Sequence, residues 1–233
     1  AAFLFGVPQT KACGTGMKTF PLAEASSLPR CRRPLALLFL MAAGMPIAFA
    51  TWSALLNNFV IEVANFDGSD IGWLHSVREI PGFLAIGVIA VLLVMREQVL
   101  AMVSLILLGV ATALTAYFPQ MGGILIITLL SSIGFHYYET VNQSLQLQWI
   151  PKGKAPQTLG LLLAAGSGAT LVAYLAIMLT WKAFGLSYNT VYMVAGGITA
   201  AIAVFADWPV WRPMRPWRLG PCLCPAPSYR VRV

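Results

Sequence analysis

Apolar residues in this chain gather into six long stretches, roughly 35–57, 71–95, 98–118, 121–149, 157–180 and 188–207, separated by short polar breaks. A stretch of about 20 apolar residues crosses a bilayer core as a helix. Runs such as Leu35 to Ala43 and Ile124 to Leu130 lack the apolar–polar alternation of a membrane barrel strand. A backbone in hydrocarbon also has to satisfy its own hydrogen bonds, which favours helix. The pattern predicts an all-α, multi-pass membrane protein with a six-helix domain over 35–207. The flanks, an N-terminal segment 1–34 and a Pro/Arg-rich tail 208–233, read as poorly ordered.

Basic residues fall in every second break. The N-terminal segment carries Lys11, Lys18, Arg30, Arg32 and Arg33, and the segment after the last span Arg212, Arg215 and Arg218. Between them, the second loop has Arg96 and the fourth Lys152 and Lys154. The opposite loops hold Glu62, Asp67 and Asp70, then no charge, then Lys182. Basic loops stay on the cytoplasmic side, so both termini are expected there, in a cell or inner membrane. Trp73, Trp149, Trp181 and Trp208 fall near span ends, as interfacial anchors would.

A mean hydropathy of +0.76 and only 10% charged residues exclude an ordinary soluble domain. The formal charge of +7 sits at helix ends, where it meets anionic lipid headgroups, so no nucleic-acid partner is expected. Cys13, Cys31, Cys222 and Cys224 all lie in the terminal segments and are expected to be reduced, without a structural role. No cofactor or metal site is implied. The first residue is Ala, which reads as a fragment or a processed product.

Features recur halfway along. Leu56-Asn57-Asn58 precedes Ile71-Gly72-Trp73-Leu74, and Val141-Asn142-Gln143 precedes Leu159-Gly160-Leu161-Leu162, the two span openings lying 88 residues apart. A three-span unit used twice enters the membrane from opposite sides, which would make a 3+3 inverted repeat, a common transporter plan. With Ile71 to Ser76, Gly134 to Tyr138, Trp149 to Ala155 and a Gly-rich fifth span from Gly160 to Gly168, the chain resembles one six-helix half of a major facilitator superfamily transporter. The resemblance covers about residues 35–207 and implies twelve spans in all. The remaining six would come from a missing half or from a second copy as a homodimer. One departure is plain: members carry an Asp-Arg-x-Gly-Arg-type signature between spans 2 and 3, and here that loop is Met95-Arg96-Glu97-Gln98.

Several polar residues fall where lipid would reject them. Arg78 and Glu79 lie about 10 Å into span 2, where a charge costs a few kcal/mol unless it meets protein or water. Being adjacent on a helix, they are expected to diverge, each seeking a partner elsewhere. Pro81-Gly82 predicts a kink just below them. In span 4, His136, Glu139, Asn142, Gln143 and Gln146 recur at three- and four-residue spacing, which places them on one stripe facing the bundle interior. Asn57 and Asn58 present amides toward the same passage or cap the outer end of span 1. Bland readings compete: a helix-locking ion pair at Arg78–Glu79, and a wet interface for Gln143 onward. The small residues of span 5 read as helix packing.

The reading that follows is a secondary active transporter, or half of one, moving a small-molecule solute by alternating access, with proton coupling through His136 and Glu139. An enzyme is not expected, since His136-x-x-Glu139 is not joined by further converging groups. The absence of a Gly-rich phosphate loop argues against ATP-driven pumping within this sequence. A non-transporting membrane scaffold and an intramembrane enzyme remain the alternatives.

Overall fold

The structure is a computed structural model that describes residues 33–83, 86–150 and 152–206. The described residues form seven α-helices and no strand: α1 (Arg33–Glu62), α2 (Gly68–Phe83), α3 (Gly87–Val94), α4 (Glu97–Leu114), α5 (Met121–Trp149), α6 (Ala155–Phe184) and α7 (Tyr188–Ala206). Five helices are long and apolar enough to cross a membrane by themselves. The short pair α2 and α3, inclined to each other by 54°, makes a sixth crossing if taken as one broken span. The four cysteines, Trp208 and the basic residues of both terminal segments up to Arg32 and from Arg212 lie outside the described residues.

Local chemistry sets the helix ends. Asn65 adopts a left-handed conformation (φ 55°), and the Phe66 N–H reaches back to the Val60 carbonyl at 2.9 Å, which closes α1. Two residues on, Asp67 accepts from the Ser69 and Asp70 N–H groups at 2.8 and 2.9 Å, while its own N–H donates to the Asp70 carboxylate at 3.2 Å. This reciprocal arrangement satisfies the free amides at the start of α2. Gly185, also left-handed at φ 57°, ends α6.

Helix α4 packs extensively against α7 and α5, and α1 against α6 and α7, while α2 lies on α5. In a bilayer, whose lipid tails are as apolar as leucine, helices of this kind associate by close fit rather than by the hydrophobic effect. The fit is closest where glycines meet. A Cβ on Gly109 of α4 would stand 2.7 Å from Ala200 N and Gly196 O of α7. One on Gly134 of α5 would stand 2.8 Å from Leu108 N and Ser104 O of α4. Of the span-5 glycines, Gly166 faces α1 and its Ala42 carbonyl, whereas Gly160 and Gly168 border open space.

Hydrogen bonds add register. Pro46 inside α1 removes one helical N–H. Around it, Tyr138 O–H donates to the Met41 carbonyl at 2.7 Å and Thr199 O–H to the Gly44 carbonyl at 3.0 Å. Both contacts are buried, and they tie α5 and α7 to the same stretch of α1. At one end of the bundle Tyr188 O–H donates to Glu62 at 2.6 Å. At the other end Glu97 accepts from Gln148 at 2.6 Å and from Ser144 at 3.3 Å, which holds α4 to α5. Two buried clusters result, one around Leu38, Met41, Leu105 and Tyr138, the other around Trp52, Phe59, Leu74 and Tyr192.

Candidate functional site

A cavity of about 140 Å³ opens where α1, α2 and α5 meet. Its wall comprises Phe49 and Trp52 from α1, Arg78 and Glu79 from α2, and Thr128, Ser131, Ser132, Phe135 and His136 from α5. Residues 128, 131, 132, 135 and 136 follow helical spacing, so α5 offers the cavity a continuous stripe.

The seam between α2 and α5 is pinned at the charged position itself, because Ser132 Oγ donates a hydrogen bond to the Arg78 carbonyl. Above it the Arg78 guanidinium lies over the Trp52 indole, 5.7 Å from the ring centroid. Its Nε and Nη2 donate to Glu79 Oε1 at 3.0 and 2.6 Å. The expectation that these neighbours diverge is therefore corrected: they form an ion pair. The Cβ positions do point about 100° apart around the helix, but both side chains are long enough to fold back together. Across the cavity, Phe135 stacks on Phe49 (centroids 4.6 Å, 19° between planes) and meets the His136 ring edge-on at 5.1 Å. Gly82 makes room for that imidazole: a Cβ there would come within 3.3 Å of His136 Cε1.

Two polar atoms on residues of the cavity wall have no hydrogen-bond partner among the described residues. Trp52, 4% exposed, has a buried indole N–H with no acceptor, and Thr128, 1% exposed, a buried hydroxyl with no partner. A buried polar group without a partner costs on the order of 1–3 kcal/mol.

Of the residues singled out from sequence, the structure brings Arg78, Glu79 and His136 to one cavity, with Gly82 packed behind the last. Pro81 is buried inside α2, and the helical axis breaks beyond Phe83. Glu139, Asn142, Gln143 and Gln146 continue the α5 stripe but do not line the cavity. Glu139 and Gln143 are exposed on the bundle surface, and the Asn142 side-chain oxygen is buried without a partner. Asn57 and Asn58 are exposed well inside α1, which runs on to Glu62, so they do not cap it. The readings from sequence missed Trp52, Thr128, Ser131 and Ser132. For the serines a signal existed, an adjacent pair inside an otherwise apolar run; Trp52 and Thr128 carried none.

Among the described residues no group of three His, Cys, Asp or Glu side chains is placed to hold a metal. The site combines one ion pair, one imidazole, hydroxyls and aromatic faces. That inventory suits recognition of a small polar molecule. Compared with protein-family models, with curated proteins and with solved structures, the chain matches none.

Proposed function

We propose that this chain is a secondary active transporter, or one six-helix half of one, that moves a small solute through the α1–α2–α5 cavity by alternating access. The observation that carries this reading is a polar stripe on α5 that begins in the cavity and leaves it. Thr128, Ser131, Ser132 and His136 line the cavity, and Glu139, Asn142, Gln143 and Gln146 extend the same face for about 15 Å toward the other membrane surface. A carboxylate at that depth is costly against acyl chains, so the stripe faces water or another protein unit. A second six-helix unit, either a missing half or a second copy, would cover it and complete a passage.

The helix pairings support a 3+3 repeat of the kind expected for half of a major facilitator superfamily transporter. Exchanging spans 1, 2 and 3 with spans 4, 5 and 6 turns the α1–α6 contact into α5–α2, and α1–α7 into α5–α4. The α4–α7 and α1–α5 contacts map onto themselves, and the smaller α1–α4 contact lacks a counterpart. With three spans per unit the copies run in opposite directions, and the basic loops set both termini in the cytoplasm. The 54° angle between α2 and α3 is compatible with a span built from two pieces, as broken transporter helices are. Proton coupling, in this reading, draws on Glu79 and His136 inside the cavity and Glu139 below it.

The test is flux. Full-length protein is reconstituted into vesicles loaded with a panel of labelled small solutes, with and without a pH gradient. Saturable movement of at least one solute is expected, falling at least about tenfold in Arg78→Ala while that variant still inserts and stays monodisperse. Movement of none, or equal movement by Arg78→Ala, would favour the scaffold alternative.

A further inference from the structure

We propose that the cavity is a binding site for a small zwitterion, a solute carrying one carboxylate and one ammonium group with no net charge. The proposal rests on the transporter reading only for why a solute would visit the cavity; the ligand class comes from the wall itself.

Formal charge decides first. Arg78 and Glu79 are the charged groups on the wall, and with His136 counted neutral they sum to zero. A solute of either net charge would be attracted by one member of the pair and repelled by the other. A neutral apolar solute would cover the leftover hydrogen-bonding capacity of the Arg78–Glu79 pair without satisfying it. A zwitterion avoids both penalties.

Geometry decides next. Both hydrogen bonds within the ion pair fall on the same acceptor, Glu79 Oε1, and use Arg78 Nε and Nη2. Glu79 Oε2 and Arg78 Nη1 are thus left over, and among the described residues neither has a bonding partner. The pair offers a free donor edge beside a free acceptor, the complement of a carboxylate beside an ammonium group. The aromatic faces of Phe49, Trp52 and Phe135 suit a cation. Side-chain exposures of 32% for Arg78 and 54% for Glu79 leave both heads reachable. Size agrees: about 140 Å³ lies below the ~300–1,000 Å³ of drug-sized sites.

Equilibrium dialysis of the full chain in detergent micelles tests this, using three labelled probes of similar size: alanine, its anionic relative propionate, and its cationic relative ethylammonium. Wild type is expected to bind alanine saturably and at least about tenfold tighter than either half-probe. Glu79→Gln should lose alanine and gain propionate, because the guanidinium is then unopposed; Arg78→Gln should lose alanine and gain ethylammonium. This exchange of preference is one that a merely structural ion pair would not produce. No saturable alanine binding, a half-probe bound as tightly as alanine, or variants that keep the wild-type order would each overturn the proposal. Binding of alanine without its movement across vesicles would leave the ligand class standing and sink the transporter reading, and saturable flux of an anion alone would do the reverse.

Discussion

Asp67 accepts three hydrogen bonds within four residues of chain, from the N–H groups of Ser69 and Asp70 and from the Ser69 hydroxyl. The Asp70 N–H first, and then the Ser69 hydroxyl, hold its carboxyl below its ordinary pKa of 3.8. A carboxylate whose pKa is depressed by folding contributes stability above the unfolded value and loses it as pH falls through the folded one. The contribution of Asp67 is therefore expected to be whole above about pH 4 and to fade below 3.8. Thermal melts in micelles between pH 6 and 3 check this: Asp67→Asn should melt slightly lower at pH 6, and the gap should close toward pH 3. Arg78 and Glu79 teach the complementary lesson. Their intrusion into an apolar span is visible in the sequence, but their mutual pairing depends on torsion angles along two long side chains, which adjacency alone does not specify.

At the scale of elements, the small residues that sequence makes conspicuous are those of span 5, yet the closest backbone approach is between α4 and α7 at Gly109 and Gly196. Composition shows that some face is narrow and leaves open which helix lies against it. Gly109→Ala is expected to destabilise the bundle by about 1–3 kcal/mol, because the added methyl meets backbone atoms that cannot give way. Gly168→Ala, where nothing lies within 4 Å, is the control and should melt like wild type or slightly higher. Denaturation in mixed micelles measures both. Span 2 differs in another way from a uniform helix. Pro81 stays within α2, buried, and α3 runs at 54° to α2. Proline removes a helical hydrogen bond, so one inside a helix does not by itself fix where the span changes direction.

For the whole molecule the decisive surface is the one bearing Glu139 and Gln143, exposed on the bundle at a depth where lipid would be a poor neighbour. In the proposed assembly that surface faces an aqueous passage beneath a second six-helix unit. A cysteine placed at Glu139, in a chain whose four native cysteines are replaced, should react with a water-soluble maleimide in vesicles, and solute should slow the reaction. Failure to react, together with quenching of a probe at that site by a lipid-borne quencher, would show a lipid-facing stripe and end the passage idea. The all-helical character, five of the six apolar stretches as single long helices, and the polar intruders in spans 2 and 4 were legible in the sequence itself. Hydrocarbon admits few backbone solutions, so apolar length and periodicity carry enough information to predict them. Which intruders share a cavity was decided only by tertiary structure. His136 joins Arg78 and Glu79 while Glu139, one turn away on the same stripe, stands outside. The difference lies in how deep α2 rides along α5, and that is set by glycine contacts and by one serine on the Arg78 carbonyl.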